Sequence, residues 1–203
     1  MPQIVDQFFD NESDSLQKVW KTGWGLIQAG VYDRNSSFHI PTAASLSAGG
    51  LPVMRTMILR GVDVTHKKLW FHTDRRSAKF SELSAFPKMS LHFYDPSIKI
   101  QIRLEANAQI HSADPLAFAA WENCRPSSRL RYATNIEPGI KVASPPVVPT
   151  PRDAEKNSGY ANFCVVLATV YRFEWLRLAD ERQERAAFMW GGEETPAAYW
   201  IAP

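Results

Sequence analysis

The stretch "IKIQIRLEANAQIH", residues 98–111, decides the architecture. Ile98, Ile100, Ile102, Leu104, Ala106, Ala108 and Ile110 alternate with Gln101, Arg103, Glu105, Asn107 and Gln109. A period of two puts the first set on one face of a pleated strand and the polar set on the other. Working outward, the neighbours are of the same kind. "KMSLHFYD" and "KKLWFHT" read as strands before it, and "NFCVVLATVYRFEWLRL" as one or two strands after it. "FHIPTAASLSAGGLPVMRTMILRGVD" reads as two strands joined across Ala48-Gly49-Gly50, and "RAAFMW" and "AYWIAP" as closing strands.

Helical patterns are few. Asp14–Ala29 is amphipathic, with Leu16, Val19, Trp20, Leu26 and Ile27 as candidate buried positions and Gly30 as a stop. "SAKFSEL" is a short helix that Ser77 can cap. Asp114 followed by Pro115 starts a helix carrying Leu116, Phe118 and Trp121, and "SSRLRYA" forms another short one. Residues 137–160 hold Pro138, Pro145, Pro146, Pro149 and Pro151 and read as a long loop. There is no βαβ alternation and no GxGxxG, which argues against a dinucleotide-binding fold. The expectation is a mainly β (α+β) chain: a small antiparallel barrel with appended helices. It forms one domain over 1–203, with its core at about 16–190.

Bulk properties narrow the function. The 203 residues are 45% hydrophobic and 22% charged with a net charge of +2, which gives no reason to expect a nucleic-acid partner. The N-terminus has no basic region, and nothing approaches the roughly 20 apolar residues of a spanning helix. The chain therefore reads as soluble and cytoplasmic, with no membrane partner. Cys124 and Cys164 sit in no CxxC and read as reduced structural thiols, with no metal site. Seven Trp suit a core, a subunit interface or a ring-binding pocket alike.

One junction concentrates donors. "FHTDRRSAKF", residues 71–80, places Thr73, Arg76, Ser77 and Lys79 where a strand gives way to a helix. A helix start with hydroxyl and charged donors beside it suits an anion such as a phosphate. From these residues alone, a solvated basic turn with an ordinary serine cap is the favoured reading. In "RTMILR", Arg55 and Arg60 fall on opposite faces if the strand is regular. Gln101 and Arg103 share the polar face of the long strand, where an amide that both donates and accepts suits the heteroatom edge of a flavin ring or simply an exposed face.

Taken in order and at this spacing, "RTMILRGVD", "LWFHTDRRSAKFSEL", "MSLHFYD" and "IQIRLEANA" resemble the FMN-binding split β-barrel of the pyridoxamine 5′-phosphate oxidase-like proteins. The similarity runs from roughly Trp20 to Trp190, is strongest over 52–110, and is nearer to the FMN-binding oxidase-like branch than to the vitamin B6 enzyme itself. The resemblance implies FMN as cofactor. It implies that Arg55 holds the phosphate, that Thr56, Met57 and Ile58 lie along the flavin, and that Arg60 stands where the family has lysine. His72 and Thr73 match a Tyr-Thr pair. Ser77, Ala78 and Lys79 match a Ser-Arg-Lys cluster, with Arg76 as substitute charge, and Gln101 matches the strand glutamine. The resemblance also implies a homodimer with flavin sites at the interface, where Arg185 reaches the flavin of the other chain.

On the substrate side the same comparison places Trp121 at a tyrosine position, Arg125 at an arginine and Arg129 at a serine. "ERQERAAF" offers Arg182 and Arg185 but no histidine, and Leu176 replaces a tryptophan. The implied cofactor site is kept and the substrate site is altered. The expectation is an FMN-dependent oxidoreductase acting on a small, anionic molecule bound by Trp121, Arg125, Arg129 and Arg182, with strict pyridoxamine phosphate oxidase activity doubted. The alternative for those arginines is a set of interface ion pairs. The alternatives for the whole are a flavin carrier or redox sensor without turnover, or a heme- or deazaflavin-binding relative. No side chain is named as the catalytic acid or base.

Overall fold

The structure is a computed structural model that describes residues 14–147, 159–178, 183–192 and 196–203. Helix α1 (Asp14–Tyr32) precedes β1 (Thr42–Leu46), β2 (Pro52–Thr56), β3 (Leu59–Asp63) and β4 (Lys68–Asp74). Helix α2 (Ala78–Ala85) leads to β5 (Lys88–Asp95) and β6 (Ile100–His111). Helices α3 (Pro115–Glu122) and α4 (Pro126–Arg129) lead to β7 (Phe163–Leu178), β8 (Gln183–Met189) and β9 (Ala197–Ile201).

All described strand pairs are antiparallel, in the order β2-β1-β5-β6-β7-β4-β3, with the β8–β9 hairpin attached to β7. The two ends of that order, β2 and β3, are consecutive in the chain. Residues 57 and 58 therefore cross the gap between the sheet's edges. The crossing is stitched by Met57 N–H to the Pro41 carbonyl (3.0 Å) and Leu59 N–H to the His39 carbonyl (2.9 Å). Among the described residues no strand pair closes the ring, and the expected antiparallel split barrel is what forms. The single strand expected over "LPVMRTMILRGVD" is two, because one stretch cannot ladder with both β1 and β4.

The core follows the alternation of β6. Ile100, Ile102, Leu104 and Ala106 are buried with Leu91 and Phe93 of β5. Helix α1 covers one side through Trp20, Trp24 and Ile27, with Trp20 against Phe173 and Phe188 at centroid distances of 5.6 and 5.3 Å. Offset aromatic packing of this kind adds to the burial itself.

Several details differ from the sequence reading. Strand β6 starts at Ile100, because Lys99 takes a left-handed φ of 54° and leaves Ile98 exposed. Gly30 does not stop α1, which runs on to Tyr32; the glycine is needed because a Cβ there would lie 2.6 Å from the Phe38 backbone. Helix α3 buries Ala117 and Trp121 and leaves Leu116 and Phe118 exposed, so only its i, i+4 stripe faces β7. The Asp114 cap is as expected, its carboxylate accepting from Ala117 N–H at 2.8 Å. Loop residues 148–158 lie outside the described residues. No helix among the described residues is long and apolar enough to cross a membrane.

Candidate functional site

The site is built around a bulge in β3. Leu59 pairs with Phe71 and Gly61 with Trp70, so Arg60 has no partner on β4. The Trp70 indole lies where a Gly61 side chain would be, with its Cζ2 only 1.9 Å from the position of a Cβ. A bulge re-aims its extra residue. Here it turns Arg60 into a cavity of about 460 Å³, where the guanidinium Nε is buried without a hydrogen-bond partner.

His72 lies on β4 one residue past Phe71, with its ring edge-on to Phe163 at 4.9 Å. Its Nδ1 is likewise buried and unpartnered. Burial, and then the charge of Arg60, push the imidazole down to about 4 from 6.5, so it is neutral at pH 7. The β2–β3 crossing supplies Thr56, Met57 and Ile58 to the wall, and β4 and α2 supply Thr73 and Lys79. Burial first, then the Arg55 charge, lower the Lys79 ammonium from its usual range.

The remaining expected residues sit elsewhere. Arg55 donates to Ser45 Oγ and pairs with Glu82 at 2.7 Å. Arg76 grips the Asp74 carboxylate (2.7 Å) and the Thr134 carbonyl (2.9 Å). Ser77 holds the N-cap position of α2 but makes no capping bond; its hydroxyl donates to the Asp74 carbonyl at 2.6 Å. Thr73 Oγ1 lies 3.4 Å from Ser77 Oγ. Gln101, Leu176 and Arg185 stand in register across β6, β7 and β8, and none of them lines the cavity. Arg185 instead meets Glu174 (2.7 Å), a buried carboxylate that also accepts from Arg103 and Arg172.

Of the substrate-side residues, Arg125 lines the cavity. Trp121 is fully buried in a second aromatic cluster with Phe163 and Tyr132. Arg129 stacks on Trp121 at 5.1 Å and donates to the Cys124 and Glu122 carbonyls. Arg182 lies outside the described residues. The sequence reading missed Arg34, His39, Ser127, Ser128, Arg131 and Tyr132, all of which line the cavity. Arg34 and His39 come from the connection after α1, which has no periodic pattern, and the other four fall in the short helical stretch "SSRLRYA", where only Arg131 carried a signal, as a second arginine.

Residues 20–112 match the family described as "Pyridoxamine 5′-phosphate oxidase, FMN-binding domain". The match, to the pyridoxamine 5′-phosphate oxidase-like FMN-binding family, covers just under half of the chain. It is 31% identical over 121 residues to a pyridoxine/pyridoxamine 5′-phosphate oxidase of Synechocystis sp., covering 52% of this chain and 55% of that one. It is 38% identical over 63 residues to the protein of that name from Azorhizobium caulinodans, covering 31% and 29%. The chain thus matches about half the length of the first curated relative and under a third of the second.

Among solved structures it is similar to a pyridoxamine 5′-phosphate oxidase-related, FMN binding protein from Nostoc punctiforme PCC 73102. The TM-score is 0.75 at 22% identity, over 91% of this chain and 97% of that one. It is also similar to PhzG from Burkholderia lata 383, solved with tetrahydrophenazine-1-carboxylic acid. There the TM-score is 0.67 at 14% identity, over 93% and 91%. These likenesses speak to the fold.

FMN is the cofactor of this family, and the cavity's chemistry fits it. The volume lies within the usual range of ligand pockets, roughly 300–1,000 Å³. The charged lining is all basic, two nitrogens are buried with no protein partner, and Thr73 and Lys79 offer a hydroxyl and a cation to a phosphate.

Proposed function

We propose that the chain is an FMN-dependent oxidoreductase acting on a small anionic molecule. The observation that carries this reading is the acid-free basic cavity holding the orphaned Arg60 Nε and His72 Nδ1. Bound FMN would supply two-electron transfer. Lys79 and Thr73 would hold its phosphate, and the backbone at Met57 and Ile58 would line its ring. Arg60 places a fixed positive charge in the cavity. His72 stays neutral beside it and offers one hydrogen bond without adding charge. Arg125 faces the substrate.

The buried Trp121 and the engaged Arg129 leave two of the vitamin B6 enzyme's substrate positions out of reach. Turnover of pyridoxamine 5′-phosphate is therefore expected well below roughly 1 per second. The row Gln101–Leu176–Arg185 lies off this cavity, and we assign it to the flavin site of a second subunit in a homodimer. Both cysteines are free and buried, in keeping with a reducing cytoplasm.

The test is reconstitution with FMN, followed by a substrate and reductant screen that includes NAD(P)H. Near-stoichiometric uptake with a shifted flavin spectrum is expected, along with turnover of an anionic substrate. Uptake with no turnover would assign the chain to the carrier or sensor reading, and no uptake would refute both.

A further inference from the structure

His39 is held at both its backbone and its ring. Its N–H donates to the Ser36 carbonyl and its own carbonyl accepts from Leu59 N–H, each at 2.9 Å. Its Nδ1 lies 2.7 Å from the Gly30 carbonyl. Gly30 belongs to the last turn of α1, where carbonyls have no partner within the helix. The Ala29 carbonyl accepts from Asp33 N–H, and the Gly30 carbonyl accepts from the imidazole. The close approach depends on the glycine, since a Cβ at residue 30 would lie 2.6 Å from the backbone of Phe38, the residue before His39.

A carbonyl only accepts, so Nδ1 carries the proton, and Nε2 of the neutral ring is a bare lone pair. Nε2 makes no hydrogen bond among the described residues and, unlike His72 Nδ1, is not fully buried. His39 is 9% exposed and lines the cavity, so its open nitrogen is offered to what the cavity holds. Its backbone also anchors the crossing at Met57–Leu59, the segment set along the flavin ring. A base whose other nitrogen is fixed by a third group is the recurring arrangement of acid–base sites.

The rest of the lining offers no equal. It holds no carboxylate, and Arg34, Arg60, Arg125 and Arg131 are permanent cations. Lys79 is given to the cofactor phosphate, and burial pushes the Tyr132 phenol up. His72, at about 4, is a weak proton acceptor at pH 7.

We propose that His39 Nε2 is the proton-transfer group of the cavity, with the Gly30 carbonyl fixing its tautomer. The proposal rests on FMN occupying the cavity as the two-electron oxidant. A substrate carbon gives up a C–H bond as a hydride, whose two electrons pass to FMN. The atom bonded to that carbon loses its proton to Nε2, and the freed pair makes the single bond between the two atoms double. In the reverse direction the imidazolium returns the proton.

FMN uptake is measured first, on wild type and on His39→Asn. The asparagine amide replaces Nδ1 as donor to Gly30 but offers no proton acceptor in place of Nε2. Long-range hydrogen–nitrogen NMR of the FMN-loaded wild type, with labelled histidine, should show neutral His39 with its proton on Nδ1 and should show Nε2 gaining a proton as pH falls. The opposite tautomer would overturn the proposal whatever the turnover. Anaerobic bleaching of the flavin by pyridoxamine 5′-phosphate, followed to completion however slow, then reads the step itself. His39→Asn should slow it about 100-fold or more and abolish the wild type's rise in rate with pH, with an FMN Kd within twofold. A slowing under threefold with the pH dependence kept would overturn the proposal. A variant that loses FMN affinity in parallel would assign His39 to the cofactor instead. A wild type that takes up FMN but is never bleached would overturn the proton transfer and leave the flavin assignment standing. Failure to take up FMN would overturn the proposed function itself, and is read before the other measurements.

Discussion

Gly61→Ala probes the bulge that aims Arg60. Its Cβ would stand 1.9 and 2.0 Å from Trp70 Cζ2 and Cε2, where ordinary contact begins at 3.4 Å. The indole is rigid and packs beside the Trp121–Phe163 cluster, so either the ring swings out or β3 lifts from β4. Overpacking of this kind costs roughly 1–3 kcal/mol. For a chain of this size that is a fall in Tm of roughly 2–12 °C. Either response also moves Arg60. Losing one charge-assisted bond of roughly 1.5–3 kcal/mol weakens FMN about tenfold or more. Gly25→Ala is the control, because that glycine is exposed in mid-α1 with nothing within 4 Å of its Cβ. It should stabilise by about 0.5–1 kcal/mol through helix propensity. Thermal unfolding and FMN titration of the two variants decide the matter. A Gly61→Ala protein with wild-type Tm and FMN Kd would show that Trp70 does not impose the bulge and that the bulge does not aim Arg60.

Three further outcomes are expected. Lys79→Ala should weaken FMN by about tenfold or more, since a charged donor to phosphate contributes roughly 1.5–3 kcal/mol, while riboflavin, which lacks the phosphate, should bind both proteins alike. His72 is held neutral by burial and by Arg60, with its pKa lowered from 6.5 to about 4. In that window the unfolded chain binds the extra proton, so stability falls as pH drops from about 6.5 towards 4, by up to roughly 3 kcal/mol; urea unfolding of His72→Asn should show that slope flattened. Burial alone would raise the Glu174 carboxyl, but bonds from Arg185, Arg172 and Arg103 outweigh it and hold it below its ordinary 4.5. Its contribution is therefore present above pH 4.5 and lost below it, and Glu174→Gln, which removes charge-assisted bonds of roughly 1.5–3 kcal/mol, should destabilise at pH 7 by chemical unfolding and lose that acid dependence.

The strands were legible where one face is buried and the other wet. Strands β5 and β6 keep strict alternation, and their bounds follow from it to within two residues. Helix α1 was found although Gly23 and Gly25 weaken its propensity. Tertiary packing supports it: a Cβ at Gly23 would meet Phe173 at 2.5 Å, so that glycine serves the contact between helix and sheet. The crossing at Met57–Ile58 was not legible, because both residues are apolar and continue the pattern of their neighbours. Only the long-range pairing of β2 with β1 and of β3 with β4 breaks the strand there.

That break bears directly on the site. Strict alternation in "RTMILR" puts Arg55 and Arg60 on opposite faces of one strand, and parity of this kind holds only within one ladder. The chain leaves one ladder after Thr56 and enters another at Leu59, and the bulge then shifts the parity again at Arg60. Arg55 ends on the β1–α2 side, neutralised by Glu82, and Arg60 ends in the cavity without a counter-charge. The one cue lay in the next letter. An isolated glycine in a strand pattern marks a bulge or a close approach of another chain segment, and Gly61 does both. Reading "ILRGVD" as a bulge turns Arg60 from a rim arginine into one of the cations that line the cavity. The same argument predicts where Arg60→Lys would fall short: an ammonium keeps the charge but lacks the guanidinium fork, so it can hold an anion yet not grip two acceptors at once.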